Sequence, residues 1–220
     1  MFSFENVIKL IQQYWKVFLL EGVKYTLLLS IVTVFFGAIF GSILALGKMS
    51  RIAPLRWLVT AYVEVIRGTP MLLQLYFFAF VLPKALPIVD TYTAVQIALI
   101  CNSAAYVSEV IRSGIQSVDI GQTEAARSLG MTGRQTMIHI VLPQAIKNIL
   151  PALGNEFIMI IKDTSLGSTF FIGEVMTSYL KVKGATYLAL EALIIIAVIY
   201  FVLTFTLSKI FAKVERRLKA

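Results

Sequence analysis

The feature that most constrains the fold of this chain is a run of 23 residues, Tyr25 to Gly47, without a charged side chain. A helix of that length, at ~1.5 Å per residue, crosses a hydrocarbon core of about 30 Å. The rest of the sequence has the same character, since 58% of its 220 residues are hydrophobic and only 15% are charged. Soluble domains are much more polar than this. The sequence therefore predicts an all-α protein that crosses the membrane several times.

Four later apolar segments predict four further transmembrane helices. They are about Trp57 to Leu82 with an end at Pro83, about Thr91 to Ser113, about Pro143 to Ile161, and about Tyr187 to Ser208. Residues 1–18 instead place apolar side chains at helical spacing between polar ones, which predicts an amphipathic helix at the membrane interface. Residues 19–220 then form one membrane domain with five spans. The pattern fixes no structure for residues 162–186.

Lysine and arginine residues indicate how these spans are oriented. They collect in the turn after the first span, in the loop 114–143 and in the C-terminal tail, and five spans place all three on one side. By the positive-inside rule that side is the cytoplasm, so the N-terminal helix lies outside. The net charge of +8 is explained in this way. The predicted partner is therefore the lipid bilayer and not nucleic acid.

A polar island, EAARSLGMTGRQTMIHIVLP, separates two apolar segments at Glu124–Pro143. Its residues predict a helix, a turn at Gly130 to Gly133 and a second helix. The small Ala125 and Ala126 leave room for another protein surface to approach. The island is therefore interpreted as a docking loop, and the alternative is an amphipathic connector that lies on the membrane.

Polar side chains inside the predicted spans indicate a substrate site. Arg67, Asn102 and Glu156 lie about 11 to 13 residues into their helices, so at ~1.5 Å per residue all three come near the bilayer midplane. Gln74 and Asp163 each follow one of them by seven residues and extend its helix face. A charge at this depth costs roughly 2.5 to 3.5 kcal/mol, which favours a functional role. The predicted cavity would hold a carboxylate on Arg67 and an amino group or cationic side chain on Glu156.

Structural roles for these charges remain open at this point. Arg67 has Glu64 three residues before it, which is the spacing of an ion pair on one helix. Asp163 could pair with its neighbour Lys162 or be solvated, and Glu109 could cap or pair within the loop that follows it.

The island resembles the EAA loop of the membrane subunits of bacterial ATP-binding-cassette importers. The resemblance rests on the spacing of Glu124, Ala125, Ala126, Gly130, Ile140, Leu142 and Pro143. Two further motifs are similar to those of the polar amino acid uptake subfamily, namely Glu64 to Pro70 followed by Gln74, and Asn155-Glu156 followed by Lys162 to Leu166. The likeness covers about Gly22 to Ile210.

The resemblance implies a type I importer with a MetI-like core in the bacterial inner membrane. Its partners would be two ATPase subunits that bind ATP and magnesium, an extracytoplasmic receptor that delivers an amino acid, and a second permease subunit. The EAA loop residues would seat in a groove of the ATPase. Glu156 and Asp163 favour a basic amino acid, but a neutral one such as glutamine remains an alternative because its α-amino group also needs a counter-ion. The Gly37-x-x-x-Gly41 stripe is compatible with a homodimer, or it packs within one subunit.

Motifs for chemistry are absent from the sequence. It contains no phosphate-binding loop and no metalloprotease or hydrolase signature, and His139 and Cys101 are the only histidine and cysteine. We therefore expect a transport subunit without its own ATPase site, metal or cofactor, which works by alternating access. A secondary transporter driven by an ion gradient is the alternative from another class, and an intramembrane enzyme lacks a nucleophile and base at usable spacing.

Overall fold

The computed structural model describes residues 2–219, with side chains described through Arg217. Within that part all regular structure is helical, and no strand is formed. The α-helices are α1 Phe4–Trp15, α2 Lys24–Lys48, α3 Ala53–Gly68, α4 Met71–Ala85, α5 Thr91–Gln116, α6 Ile120–Ser128, α7 Gly133–Thr136, α8 Leu142–Asp163, α9 Val175–Thr186 and α10 Ala189–Lys219. Two π-helical segments, Lys16–Val23 and Met137–Val141, and a 3₁₀ segment, Thr164–Phe170, join some of them without a loop.

Helix α5 occupies the centre of the bundle and packs against α2, α3, α4 and α8. The end of the bundle where α6 lies is called the α6 end, and the opposite end is called the far end. Helix α5 begins at the far end and finishes at the α6 end. Asp90 caps its start, because its carboxylate accepts a hydrogen bond of 2.8 Å from the backbone N–H of Thr93. Hydrogen bonds from Thr93 hold the pKa of the exposed Asp90 below its usual range.

The first predicted span does not stand apart from the N-terminal helix. Helix α1, the π-helical segment and α2 form one helical run, Phe4–Lys48, of 45 residues. Leu10 on α1 is buried in a cluster with Val182 of α9 and Ala192 of α10, while Phe4 and Ile8 are exposed. The predicted boundary at residue 18 therefore falls inside a continuous helix. That α1 lies at the membrane interface stays a prediction.

The second predicted span is wrong as a single straight helix. It is broken at Thr69 and Pro70, where the helix direction bends by 108° between α3 and α4. Thr69 has an extended backbone with φ −114° and ψ 145°. The cause is Pro70, because proline lacks an N–H and disfavours a helical conformation in the residue before it. Pro83 does not end α4, which continues to Ala85.

Three helices are long and apolar enough to cross a membrane, namely Phe4–Lys48, Thr91–Gln116 and Ala189–Arg217. The bent pair α3 and α4 would supply a fourth span. Helix α8, the remaining predicted span, is not among them, since Asn148, Asn155 and Glu156 interrupt its apolar sequence. The all-α membrane architecture agrees with the sequence, and the count of five spans stays a prediction.

The region after α8, for which the sequence predicted no structure, folds into the 3₁₀ segment and α9. Glu174 caps α9, and its buried carboxylate accepts hydrogen bonds from the backbone N–H groups of Met176 and Thr177, each at 2.6 Å. Tyr200 of α10 donates its O–H to the same carboxylate at 2.9 Å. Helix α10 continues well past Ser208, so the predicted basic tail is part of this helix.

The small-residue stripe of α2 packs within the subunit. A methyl group added to Gly41 would lie 2.7 Å from the Val107 side chain of α5 and 2.9 Å from the Ala104 carbonyl, and Gly37 lies equally close to Ser103. Both glycines are buried. Of the two alternatives for this stripe, the close approach of two helices in one chain is the one observed.

We therefore expect Gly41→Ala to destabilise the protein. The added methyl group forces α2 and α5 apart, and overpacking of this kind costs about 1 to 3 kcal/mol. The measurement is the melting temperature of the purified protein in detergent. Gly68→Ala is the matched control, because a methyl group there meets no atom within 4 Å. Equal melting temperatures for the two variants would contradict the packing role of Gly41.

Candidate functional site

The polar island folds as the predicted helix, turn and second helix. Asp119 caps α6, since its carboxylate accepts a hydrogen bond of 2.6 Å from the backbone N–H of Gly121. The chain leaves α6 through Gly130 in the left-handed region, with φ +84°. Thr132 and Gln135 then form a reciprocal capping box at the start of α7. These local hydrogen bonds define the shape of the loop without help from the rest of the bundle.

The surface of this loop differs in part from the predicted one. Glu124 and Ala125 are exposed as expected, but Ala126 is buried and so offers no contact to a partner. Leu129, which the sequence reasoning missed, is 85% exposed at the end of α6. An isolated leucine beside a charged helix gave no signal in the sequence. The exposed face of α6 thus combines a carboxylate, a small residue and an apolar tip.

The second half of the island connects directly to α8. From Gly133 to Asp163 the chain is an uninterrupted helical run of α7, a π-helical segment and α8. Ile140 lies in the π-helical segment, while Leu142 and Pro143 open α8 and are exposed. Proline has no N–H to continue the α-helical bonding pattern, and the wider π turns precede it. The loop and the part of α8 that carries Glu156 therefore belong to one continuous helical run.

Gln74 and Asn102 bond to each other, a contact that the sequence did not predict, and both amides are committed to the protein itself. The Gln74 amide N–H group donates to the carbonyl of Ile66 at 2.6 Å and to the carbonyl and hydroxyl of Thr69 at 3.1 and 2.9 Å. The Asn102 amide then donates to Gln74 Oε1 at 3.0 Å. Both side chains are buried. Together they tie α5 to the break between α3 and α4.

Arg67 lies beside Glu109, and not beside Glu64. Its guanidinium is 3.7 Å from Glu109 Oε2 and stacks 5.4 Å above the ring of Tyr106. The ion pair Arg67–Glu64 is therefore not formed. Glu109 has two closer partners on the same side chain, Lys48 at 2.6 Å and Arg112 at 2.7 Å. Glu109 thus joins α2, α3 and α5, and its partners all lie outside the loop in which a cap or a pair was expected.

A cavity of about 430 Å³ opens beside this charged cluster. Arg67, Tyr106 and Glu109 line its inner part, and Ser117 and Asn148 line its part at the α6 end. The Asn148 amide donates to the Ser117 hydroxyl at 2.8 Å. The cavity therefore lies between α3, α5 and α8, in the half of the bundle nearer the α6 end.

Glu156 is buried in α8 without a counter-charge. Its side chain is only 7% exposed, and among residues 2–217 no hydrogen bond or ion pair reaches its carboxylate, so Arg67 and Asn102 do not contact it. Asp163 is half-buried two turns further on, and no ion pair with Lys162 is formed in this described part. Burial of an unpaired carboxylate is costly. The predicted site is thus divided into an acidic face on α8 and a cluster around Glu109.

Comparison with known proteins identifies the family. The sequence profile of the binding-protein-dependent transport system inner membrane components matches residues 25–220. The chain belongs to this family. The permease is therefore a multi-pass protein of the inner membrane, and membership implies an ATPase and a substrate-binding protein as partners.

Three relatives of the permease come from Bacillus subtilis and carry different substrate names. They are the arginine transport system permease protein ArtQ, the L-cystine transport system permease protein TcyB and the probable glutamine permease protein GlnM, at 44%, 40% and 40% identity. The alignments cover 92%, 94% and 91% of this chain and 93%, 88% and 93% of the relatives. Sequence similarity therefore supports amino acid transport without deciding which amino acid.

Solved structures confirm the fold of the permease. A crystal structure of an amino acid ABC transporter with histidines is 43% identical, with a TM-score of 0.92 over 99% of each chain. An inward-facing structure of the MetNI methionine ABC transporter is 20% identical, with a TM-score of 0.76 over 94% of this chain and 98% of that one. The second likeness shows the fold alone, which is the predicted MetI-like core.

Proposed function

We propose that this chain forms the pathway of an ATP-driven importer for a basic amino acid such as arginine, lysine or histidine. Five spans place the α6 end in the cytoplasm and the far end outside. Two ATPase subunits, which bind the ATP and magnesium, dock on the α6 loop, and a receptor delivers the amino acid from outside. A second copy of this chain completes the pathway. The lysine and arginine distribution and the exposed face of α6 support this arrangement.

The observation that carries the choice of substrate is the buried, unpaired carboxylate of Glu156. An ionised group at membrane depth is stable only with a partner, and no described side chain supplies one. A cationic group of the substrate would provide this partner. The relative named for arginine and the structure with histidines point to the same class of amino acid.

Transport follows from the connection between the loop and α8. When ATP draws the two ATPase subunits together, the docked α6 loop moves with them. The uninterrupted helical run from Gly133 to Asp163 carries that movement to Glu156. The cavity between α3, α5 and α8 lies in the half of the bundle nearer the α6 end, between the loop and the level of Glu156. Closing this cavity and opening the far end completes alternating access.

Uptake by proteoliposomes tests the proposal. Vesicles with this chain, its ATPase and its receptor should accumulate radiolabelled arginine only when ATP is present on the side of the membrane that carries the ATPase. Unlabelled lysine or histidine should compete for uptake. Uptake driven by an ion gradient without the ATPase would show a secondary transporter instead. Preference for glutamine would assign Glu156 to the α-amino group and overturn the basic substrate.

A further inference from the structure

A short turn at the far end presents an aromatic side chain outward. Phe171 is 68% exposed, while its neighbours are held in the protein. Phe170 packs against the rings of Tyr76 and Phe80 of α4, with centroids 5.1 and 6.4 Å away, and Ile172 is buried. The alternation of inward, outward and inward side chains fixes the direction of the Phe171 ring.

The backbone of this turn is strained. Phe171 has φ +53° and ψ 40°, the left-handed region that non-glycine residues rarely adopt. Gly173 has φ +91°, and a methyl group there would lie 3.3 Å from the Tyr25 ring. Glu174 follows at once and is fastened by its capping hydrogen bonds and by Tyr200. A left-handed residue commonly ends a helix, as Phe171 ends the 3₁₀ segment, and in a non-glycine residue it persists where the surrounding structure imposes it.

Phe171 stands at the edge of an open hollow of about 540 Å³. Tyr25 and Tyr92 line its apolar side, and their rings are 6.3 Å apart. Glu21 and Lys181 line its polar side and form an ion pair of 2.7 Å in which both side chains are about half exposed. Lipid tails do not suit a hollow with a charged wall, whereas protein interfaces combine an aromatic anchor with a polar rim.

The hollow lies far from the ATPase loop. Tyr92 and Gln116 are at opposite ends of α5, so ~36 Å of helix separates the two surfaces. The turn is also continuous with the acidic helix, because the 3₁₀ segment Thr164–Phe170 joins Asp163 to Phe171 directly. A protein that binds Phe171 therefore contacts the segment that leads directly to Asp163 and Glu156.

We propose that Phe171 and this hollow form the docking surface for the soluble amino acid receptor. The inference rests on the proposed function, which places the far end outside the cell. The Phe171 ring enters an apolar cleft of the receptor, and polar residues beside that cleft contact the Glu21–Lys181 pair. Docking straightens or shifts the strained turn and moves the end of α8, so that receptor arrival and opening of the site are one event.

The variant Phe171→Asn tests the proposal without a change of backbone, because asparagine tolerates the left-handed conformation. Tyr187→Asn is the matched control, since Tyr187 is 89% exposed with φ +60° at the end of α9 but does not line the hollow. The assay is ATPase stimulation of the complete complex in nanodiscs, titrated with the receptor that stimulates the unaltered complex. If no receptor stimulates the unaltered complex, the proposed function fails before this test begins.

We expect Phe171→Asn to raise the receptor concentration for half-maximal stimulation by about tenfold, with unstimulated ATPase activity unchanged. Phe171→Trp should keep stimulation, and Tyr187→Asn should stay close to the unaltered complex. A photoreactive benzoylphenylalanine at position 171 should cross-link to the purified receptor. Equal stimulation by Phe171→Asn and the unaltered complex, equal losses in the two asparagine variants, or cross-links only to lipid or to the second copy of this chain would overturn the proposal.

Discussion

Replacement of Glu124 by arginine is expected to lower ATP-dependent uptake by roughly 30-fold while the membrane fold is retained. Glu124 is exposed on α6, and within residues 2–217 its side chain makes no hydrogen bond or ion pair. Its reversal therefore removes nothing from the fold. It does place a positive charge on the face that is proposed to dock, where an unmatched charge costs several kcal/mol.

The measurement compares uptake by the reconstituted complex with the melting temperature of the isolated chain. Glu5→Arg is the matched control, since Glu5 is an exposed glutamate at the opposite end whose ion pair with Lys9 is worth little. We expect ATP hydrolysis by the ATPase subunits to persist in the Glu124 variant, because the ATP site is not in this chain. Undiminished uptake, or a fall in melting temperature that matches the loss of uptake, would refute the docking role.

The second large effect is expected for Glu156→Gln, which should reduce arginine uptake by roughly 30-fold or more. The change removes the more buried of the two carboxylates that the acidic face of α8 offers to a cationic group, and leaves Asp163 in place. The thermal stability of the variant should not fall with its uptake. An amide is cheaper to bury than an unpaired carboxylate, so the melting temperature of the variant should be equal or higher.

Asn102→Ala provides the contrast for this experiment. Asn102 donates to Gln74 at the break between α3 and α4, so its loss should lower the melting temperature and affect uptake of all substrates alike. Glu156→Gln should instead discriminate between arginine and a neutral amino acid. An equal loss for both would show that Glu156 binds the α-amino group, and a loss smaller than that of Asn102→Ala would remove Glu156 from the site.

The sequence predicted the elements whose signal is local. The start of α5 at Thr91 and the helix and turn around Gly130 follow from hydrophobic runs and from glycine, and the structure agrees. The break at Pro70 was missed because the apolar segments on both sides of Arg67 to Pro70 were joined into one span, although Pro70 disfavours a helical conformation at Thr69. Phe171 was missed because no glycine marks its left-handed backbone, which the contacts on both sides impose.

The candidate site was predicted from the depth of each residue in the membrane, and depth does not show which side chains contact each other. Depth placed Arg67, Asn102 and Glu156 near one level. It could not show that the Asn102 amide bonds to Gln74 or that the Gln74 amide bonds to the broken helix. For Arg67, the neighbour along its own helix was Glu64, whereas Glu109 on another helix is the carboxylate within reach. Pairing across helices depends on packing, and a single sequence does not contain it. Glu156 carries a substrate proposal because no such partner is found for it in the described part of the chain.

The break between α3 and α4 has a consequence for the biogenesis of this protein. With 16 and 15 residues, the two helices are ~24 and ~23 Å long, so neither alone crosses a 30 Å hydrocarbon core. The kink also frees backbone carbonyls of Ile66 and Thr69, which lipid would leave without donors. Gln74, which belongs to the same segment, donates hydrogen bonds to both carbonyls. Asn102, which donates to Gln74 in turn, belongs to α5, a helix that is synthesised later. While the chain emerges, the segment can satisfy its own carbonyls through Gln74, whereas the Gln74 oxygen gains its donor Asn102 only once α5 has entered the membrane beside it.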